Sequence, residues 1–243
     1  MKRVGDLKIK IFADGADLDG MVKMSRHPLV KGFTTNPTLM RKAGVTDYAS
    51  FAKDVLRVIP ARPVSFEVFA DDIPAMIAQG REIAKWGKNV NVKIPVSDTR
   101  GRFAGEVIRT LSGAGITLNV TAIMTIDQVC AVAEALAPAT PAIVSVFAGR
   151  IADTGIDPMP HMRRCKAALA DRPKAELLWA SPRELLNIFQ ADEVDCDIIT
   201  ATNDVIAKLD LVGKDLLDYS RETVQMFHRD ATAAAYEIKT ALR

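Results

Sequence analysis

Lys93 sits in NVNVKIPVSDTRG, residues 89–101, where strict alternation puts Val90, Val92 and Ile94 on one side of a strand and Asn91 and Lys93 on the other. The same period of two sets Ser65, Glu67 and Phe69 against Val64, Phe66 and Val68. It sets Asn119 and Thr121 against Leu118 and Val120, and Ser145 and Phe147 against Val144 and Val146. Each of these strands has one wholly apolar face, as packing on helices requires, and an opposite face carrying reactive groups. Two earlier runs end in Asp14 and in Asn36 of TTNP. Burying so many polar groups costs about 1–3 kcal/mol for each one left unsatisfied, so they must pair with one another, with a ligand or with water. A lone inward lysine is most simply half of an ion pair. The whole set reads as a site, because a barrel built only for stability fills these layers with Val, Ile and Leu.

A lysine amine with the ordinary pKa of about 10.4 is free base only about one time in a thousand near neutral pH, and an ammonium is no nucleophile. Desolvation between strands disfavours the charged form of an amine and so prepares it to attack a carbonyl carbon. In that chemistry Asp14 is a natural proton shuttle, and Glu67 with Thr121 is suited to hold a water that moves protons while a carbinolamine dehydrates. The sequence has no His/Cys cluster with metal-ligand spacing and no Gly-rich dinucleotide loop. No metal or cofactor is expected, and a covalent imine is the most economical reading.

Eight short apolar or alternating runs are available to position these groups: KIKIFA, GFTTN, VSFEVF, VNVKIP, TLNVTAI, AIVSVFA, ELLWAS and DIITAT. Segments with helical period lie between them. In DDIPAMIAQGREIAKWG, for example, Ile73, Met76, Ile77 and Ile83 fall near one face, acidic residues open the segment and Gly87 follows its end. Strand and helix alternating eight times predicts an α/β fold, a single (β/α)8 TIM barrel spanning residues 1–243, with a doubly wound open sheet as the alternative. The longest irregular segment, GRIADTGIDPMPHM after the sixth strand, is a lid candidate. Residues 214–243 read as an extra C-terminal helix that the barrel does not need. Leu217, Val224, Phe227 and Ala231 give it an apolar stripe able to dock on its own barrel or on a neighbouring subunit.

A chain of 243 residues with a formal charge of +2 and no Lys/Arg-rich block lacks the electrostatic footprint of a nucleic-acid or membrane binder. Small neutral or anionic metabolites are the expected partners. The N-terminus breaks its apolar content with charge every few residues, unlike a secretory signal. Cys130, Cys165 and Cys196 are too few and scattered for a disulfide framework, so a cytoplasmic location is expected. Arg163, Arg164 and Lys166 flank Cys165 and would lower a thiol pKa if they faced it, though a packing role is the simpler reading.

In order along the chain, FADGADLDGM, GFTTNPTLM, SFEVFADD, NVNVKIP, TLNVTAIMT, VSVFAGRIADTG and WASPREL resemble the transaldolase family, near its short microbial branch and the related fructose-6-phosphate aldolases. The likeness runs from about residue 8 to about residue 205. It implies a class I aldolase barrel of carbohydrate metabolism and the pentose phosphate pathway, in which Lys93 forms the Schiff base and Asp14 is the acid/base for the C4 hydroxyl. Glu67 and Thr121 would hold the catalytic water. Asn36, Asn119 and Ser145 would bind sugar hydroxyls, and Arg150 with Ser181 and Arg183 of the SPR motif would bind the phosphate, a task suited to guanidinium forks.

Glu67 and Phe147 match the transaldolases, where the aldolases typically carry Gln and Tyr. The implied reaction is therefore transfer of a dihydroxyacetone unit from a ketose phosphate to an aldose phosphate. Its alternatives are a retro-aldolase releasing free dihydroxyacetone and a non-catalytic sugar-phosphate-binding barrel. Gly15, Ala148 and Pro182 depart from the family pattern beside the pocket and point to an unusual ketose. Short members of the family form rings or stacked rings, so a homo-oligomer is expected.

Overall fold

The computed structural model describes residues 2–239. Its strands are β1 (Lys10–Asp14), β2 (Val30–Thr34), β3 (Val64–Glu67), β4 (Val90–Pro95), β5 (Leu118–Ile123), β6 (Ala142–Val146), β7 (Ala175–Trp179) and β8 (Ile198–Thr202). They pair in parallel in sequence order, and β8 closes on β1 with Asp14 opposite Thr202. All eight predicted strands are present and the (β/α)8 barrel is as expected; the open sheet is excluded by closure.

The outward faces explain the closure. Val64, Phe66, Val92, Ile94, Leu118, Val120, Val144 and Val146 are fully buried against the helical layer, where their apolar area leaves water. That layer is α1 (Leu18–Ser25), α2 (Pro37–Lys42), α3 (Tyr48–Val58), α4 (Ile73–Ala84), α5 (Gly105–Gly113), α6 (Ile126–Ala135), α7 (Ala148–Asp153), α8 (Pro158–Ala168), α9 (Leu186–Glu193) and α10 (Asn203–Ala207). Side-chain caps start many of these helices, among them Asp17, Asn36, Asp47, Asp72, Thr125 and Asp157, each accepting from a backbone N–H of the first turn.

The inward faces divide the barrel. Phe12, Ile143, Leu178, Ala180 and Ile198 form an apolar cluster with Phe147 packed on it, on the wall made by β6, β7, β8 and β1. Glu67, Lys93, Asn119 and Thr121 occupy the other wall, and Asp14, Ser145 and Thr200 add single polar groups to the apolar one. Gly32 is required here, since a Cβ there would lie 2.5 Å from the Phe12 ring. At the amino ends, Asp192 seals the chain's entry. Its carboxylate accepts from the N–H groups of Lys8 (2.7 Å) and Ile9 (2.9 Å) and pairs with Lys2, so β1 begins at Lys10 rather than at Lys8.

Three expectations change. The irregular lid segment is helical: α7 and α8 occupy it, because Asp157 caps α8 and Pro158 stands in its first turn, where a missing N–H costs nothing. The terminal helix, α11 (Leu216–Ala233), is shorter than 214–243. It ends where Ala235 turns to φ 52°, and residues 240–243 lie outside the described part. No residue of α11 is buried; Leu217 is 82% exposed and Val224 and Phe227 are also exposed, so the stripe does not dock on its own barrel. Cys165 is buried, and burial pushes its thiol up to about 12, the inert packing role. No described helix is long and apolar enough to cross a membrane.

Candidate active site

Lys93 is 6% exposed and projects from the middle of β4 into the barrel. Its Nζ donates to the Thr35 carbonyl at 2.9 Å and stands 3.1 Å from Glu67 Oε2. Register makes this pair inevitable, because Glu67 is the β3 residue directly opposite Lys93. The end of β3 is fixed by Tyr48 on α3, whose hydroxyl accepts from the Glu67 N–H (2.6 Å) and donates to the Glu67 carbonyl (3.0 Å). Burial raises the pKa of that phenol, with the adjacent Glu67 charge adding to the rise, so it stays a neutral donor.

Asp14 faces Lys93 from the end of β1. It accepts from Thr34 Oγ1 at 2.7 Å, and Asn36 Nδ2 approaches its other oxygen at 3.5 Å. Burial raises its pKa, and the charge of Lys93 with the Thr34 and Asn36 hydrogen bonds offsets only part of that rise. A carboxyl raised in this way is suited to give and take a proton. The amide of Asn36 is oriented by its second task. Its Oδ1 caps α2 by accepting from the Leu39 N–H (2.9 Å), which turns Nδ2 toward Asp14.

On the next strands Ser145 Oγ donates to Asn119 Oδ1 (2.7 Å) and Asn119 Nδ2 donates to Ser65 Oγ (3.0 Å), a fully paired buried row that holds Asn119 rigid. Thr121 Oγ1 is buried, and it has no hydrogen-bond partner among the described residues. Directly after it Ala122, which also lines the cavity, adopts φ 62° where the β5–β6 register shifts, a bulge at the end of the strand.

These side chains open into one cavity of about 370 Å³ at the carboxyl ends of the strands, lined by Asp14, Asn36, Glu67, Lys93, Asn119, Thr121, Ser145, Phe147, Arg150 and Ser181, together with Thr34 and Thr200. Arg150 lies over the Phe147 ring, 5.6 Å from its centroid, with no carboxylate paired to it among the described residues. Gly149 lets the rim close: a Cβ there would sit 1.5 Å from the Ser181 carbonyl oxygen, and Ser181 itself adopts φ 58°.

Two sequence-picked residues lie elsewhere. Arg183 is not among the residues lining the cavity; it is half exposed, and its Nε donates to Asp153 Oδ1 at 2.9 Å in a surface ion pair. Asn91 shares a face with Lys93 but lies one layer lower, in a separate hollow at the amino ends with Lys10, Lys31 and Glu176. Thr34 and Thr200 were not singled out from the sequence, although period two applied to the second and eighth strands places both inward. No group of three His, Cys, Asp or Glu side chains among the described residues is arranged to hold a metal.

A closed barrel that opens a buried lysine and two carboxylates into a single cavity has the build of an aldolase-type enzyme. The chain matches the Transaldolase/Fructose-6-phosphate aldolase family model over residues 11–241. It is 35% identical over 202 residues to a "Probable transaldolase" of Dehalococcoides mccartyi, covering 83% of this chain and 90% of that one. With one of Ruegeria sp. it is 30% identical over 232 residues, covering 95% of this chain and all of the relative. Among solved structures, 2,3-dimethylmalate lyase of the PEP mutase/isocitrate lyase superfamily superposes with a TM-score of 0.54 at 14% identity, over 99% of this chain and 89% of that one, a likeness of fold alone. The chain belongs to the transaldolase/fructose-6-phosphate aldolase family.

Proposed function

We propose that this protein is a transaldolase that moves a dihydroxyacetone unit from a ketose phosphate to an aldose phosphate through an imine on Lys93. The observation that carries the reading is the buried Lys93 amine, held 3.1 Å from Glu67 and sharing one cavity with Asp14. Glu67 is placed to take the proton that the ammonium must shed. The amine then adds to the C2 carbonyl, and the carbinolamine loses water with Glu67 and Thr121 passing protons; the partnerless Thr121 hydroxyl supports a water or substrate contact at that point. Asp14 removes the C4 hydroxyl proton, the C3–C4 electrons flow into the protonated imine, and the aldehyde leaves. The enamine adds to an acceptor by the reverse steps. Phe147 supports transfer over release, because it presents a ring without a hydroxyl beside the enamine and so offers it no proton.

The test is borohydride reduction in the presence of a ketose phosphate, read by intact mass and peptide mapping. An adduct on Lys93, with little dihydroxyacetone released until an aldose phosphate is added, supports the proposal. Absence of an adduct at saturating donor would favour a binding protein, and steady acceptor-free release would favour the aldolase.

Arg150 is the phosphate ligand in this reading, and Arg183 is not. Arg150→Ala should raise KM for a phosphorylated donor roughly 10- to 100-fold, as loss of a charge-assisted fork would, while Arg183→Ala should stay within about two-fold. Steady-state kinetics on both variants decide it. We also propose a homo-oligomer held through α11, supported by its exposed Leu216, Leu217, Val224 and Phe227. Light scattering should give a multiple of 26.4 kDa for the full chain and a smaller mass for Leu217→Lys/Phe227→Lys.

A further inference from the structure

Thr200 projects from β8, on the largely apolar wall of the barrel, and is 6% exposed. Its Oγ1 lies 2.5 Å from Thr34 Oγ1, and Thr34 Oγ1 lies 2.7 Å from Asp14 Oδ1. A threonine hydroxyl has one proton. With Asp14 ionised, that of Thr34 goes to the carboxylate, so Thr200 must be the donor in the Thr34–Thr200 contact. The three groups form a directed chain, Thr200 to Thr34 to Asp14, that spans β8, β2 and β1. The phenyl ring of Phe12 lies in the layer beneath and Gly32 leaves it room.

We propose that Thr200 is a positioning residue for Asp14, acting through Thr34: it supplies the hydrogen bond that holds the Thr34 hydroxyl with its proton on Oδ1, so that the substrate meets Oδ2, which Asn36 Nδ2 approaches only at 3.5 Å. This rests on Asp14 being the acid/base of the reaction above. A hydroxyl that both accepts and donates is a stronger donor to a carboxylate than one that only donates, since each bond in such a chain polarises the next. The other polar and ionisable groups around Asp14 do not replace it. Lys93 and Glu67 face it across the cavity and Arg150 stands at the rim. On β8 the Thr202 hydroxyl is engaged with Asp204, and on the loop before α1 the Asp17 carboxylate caps its own helix.

The test is the pH dependence of kcat/KM, which reports the ionisations of the free enzyme. Thr200→Val keeps the shape and removes the donor. Less support for the carboxylate raises its pKa, so the acid limb should move upward by roughly half to one pH unit, with KM for the donor changed less than about two-fold. Thr200→Ser should restore the wild-type limb. Thr34→Val should move it at least as far, and the double variant no further than Thr34→Val alone.

An unmoved limb in Thr200→Val, with Tm lowered or not, or full additivity of the two substitutions, overturns the proposal and leaves Thr200 a packing residue. Asp14→Asn separates this from failure of the underlying reading. If that variant keeps turnover, Asp14 is not the acid/base and both fall; if it loses turnover while Thr200→Val keeps the wild-type limb, only the role of Thr200 falls.

Discussion

Lys93→Arg is expected to abolish both borohydride trapping and transfer, lowering kcat/KM on the order of 10⁴- to 10⁶-fold, as removal of a nucleophile does elsewhere. Arginine is the informative replacement. Its guanidinium keeps the positive charge opposite Glu67 and a donor toward the Thr35 carbonyl, yet it is never a free amine and forms no imine. Lys93→Met removes the nucleophile too, but it strands the Glu67 carboxylate without its partner, which costs stability as well as chemistry. The two variants together therefore separate loss of the reaction from loss of the fold. Mass spectrometry after reduction should show no adduct in either, with Tm near wild type for Lys93→Arg. Residual transfer within about 100-fold of wild type in Lys93→Arg would mean that another group carries the carbonyl chemistry.

Much of this architecture was legible because a strand has a fixed side-chain period. Val64, Phe66 and Val68 against Ser65 and Glu67 is a statement about faces, and any closed parallel sheet covered by helices turns the apolar face outward. Height along the barrel axis is a different quantity. Asn91 shares the inward face of Lys93 but comes two residues earlier on β4, in the layer that opens at the amino ends, and strand tilt decides which neighbours meet: Ser65, in register with Asn91, bonds Asn119, in register with Lys93. Alternation alone contains neither the tilt nor the shear.

The helical layer was read less well where local punctuation competes with capping. TGIDPMP reads as loop by composition, yet Asp157 and Pro158 are together a helix start. Arg183 shows a further limit. Its motif position placed it with the phosphate-binding groups, but Asp153, thirty residues earlier, takes its guanidinium, and only the folded chain brings α7 beside the β7 loop. Ala122 and Ser181 are the reverse case. Both take a left-handed backbone that their residue types disfavour, and both border the cavity, where packing of the barrel holds the strain in place.

Asp14→Asn should cut kcat about 10³-fold, the usual weight of a general acid–base group, while leaving imine formation with the donor intact. Cleavage needs a base at the C4 hydroxyl, but formation of the carbinolamine and its dehydration run through Lys93, Glu67 and Thr121, so borohydride should trap as much donor as in wild type. The same substitution should raise Tm at pH 8. Burial lifts the folded-state pKa of Asp14 above its unfolded value, against the pull of Lys93, Thr34 and Asn36. The folded state therefore binds the extra proton, and the stability this contributes is present below the unfolded pKa and lost as pH rises through the folded one. At pH 8 the wild type holds a poorly solvated carboxylate that Asn does not, and as pH falls below about 3, where Asp is protonated in both states, the two melting curves should converge. A variant that is slower and yet more stable only on the alkaline side identifies a carboxylate retained for its chemistry at the expense of the fold. A variant with unchanged kcat assigns Asp14 a structural role and moves the acid/base to Glu67, whereas one slower but destabilised equally at both pH values keeps the acid/base and removes only the cost of burying its charge.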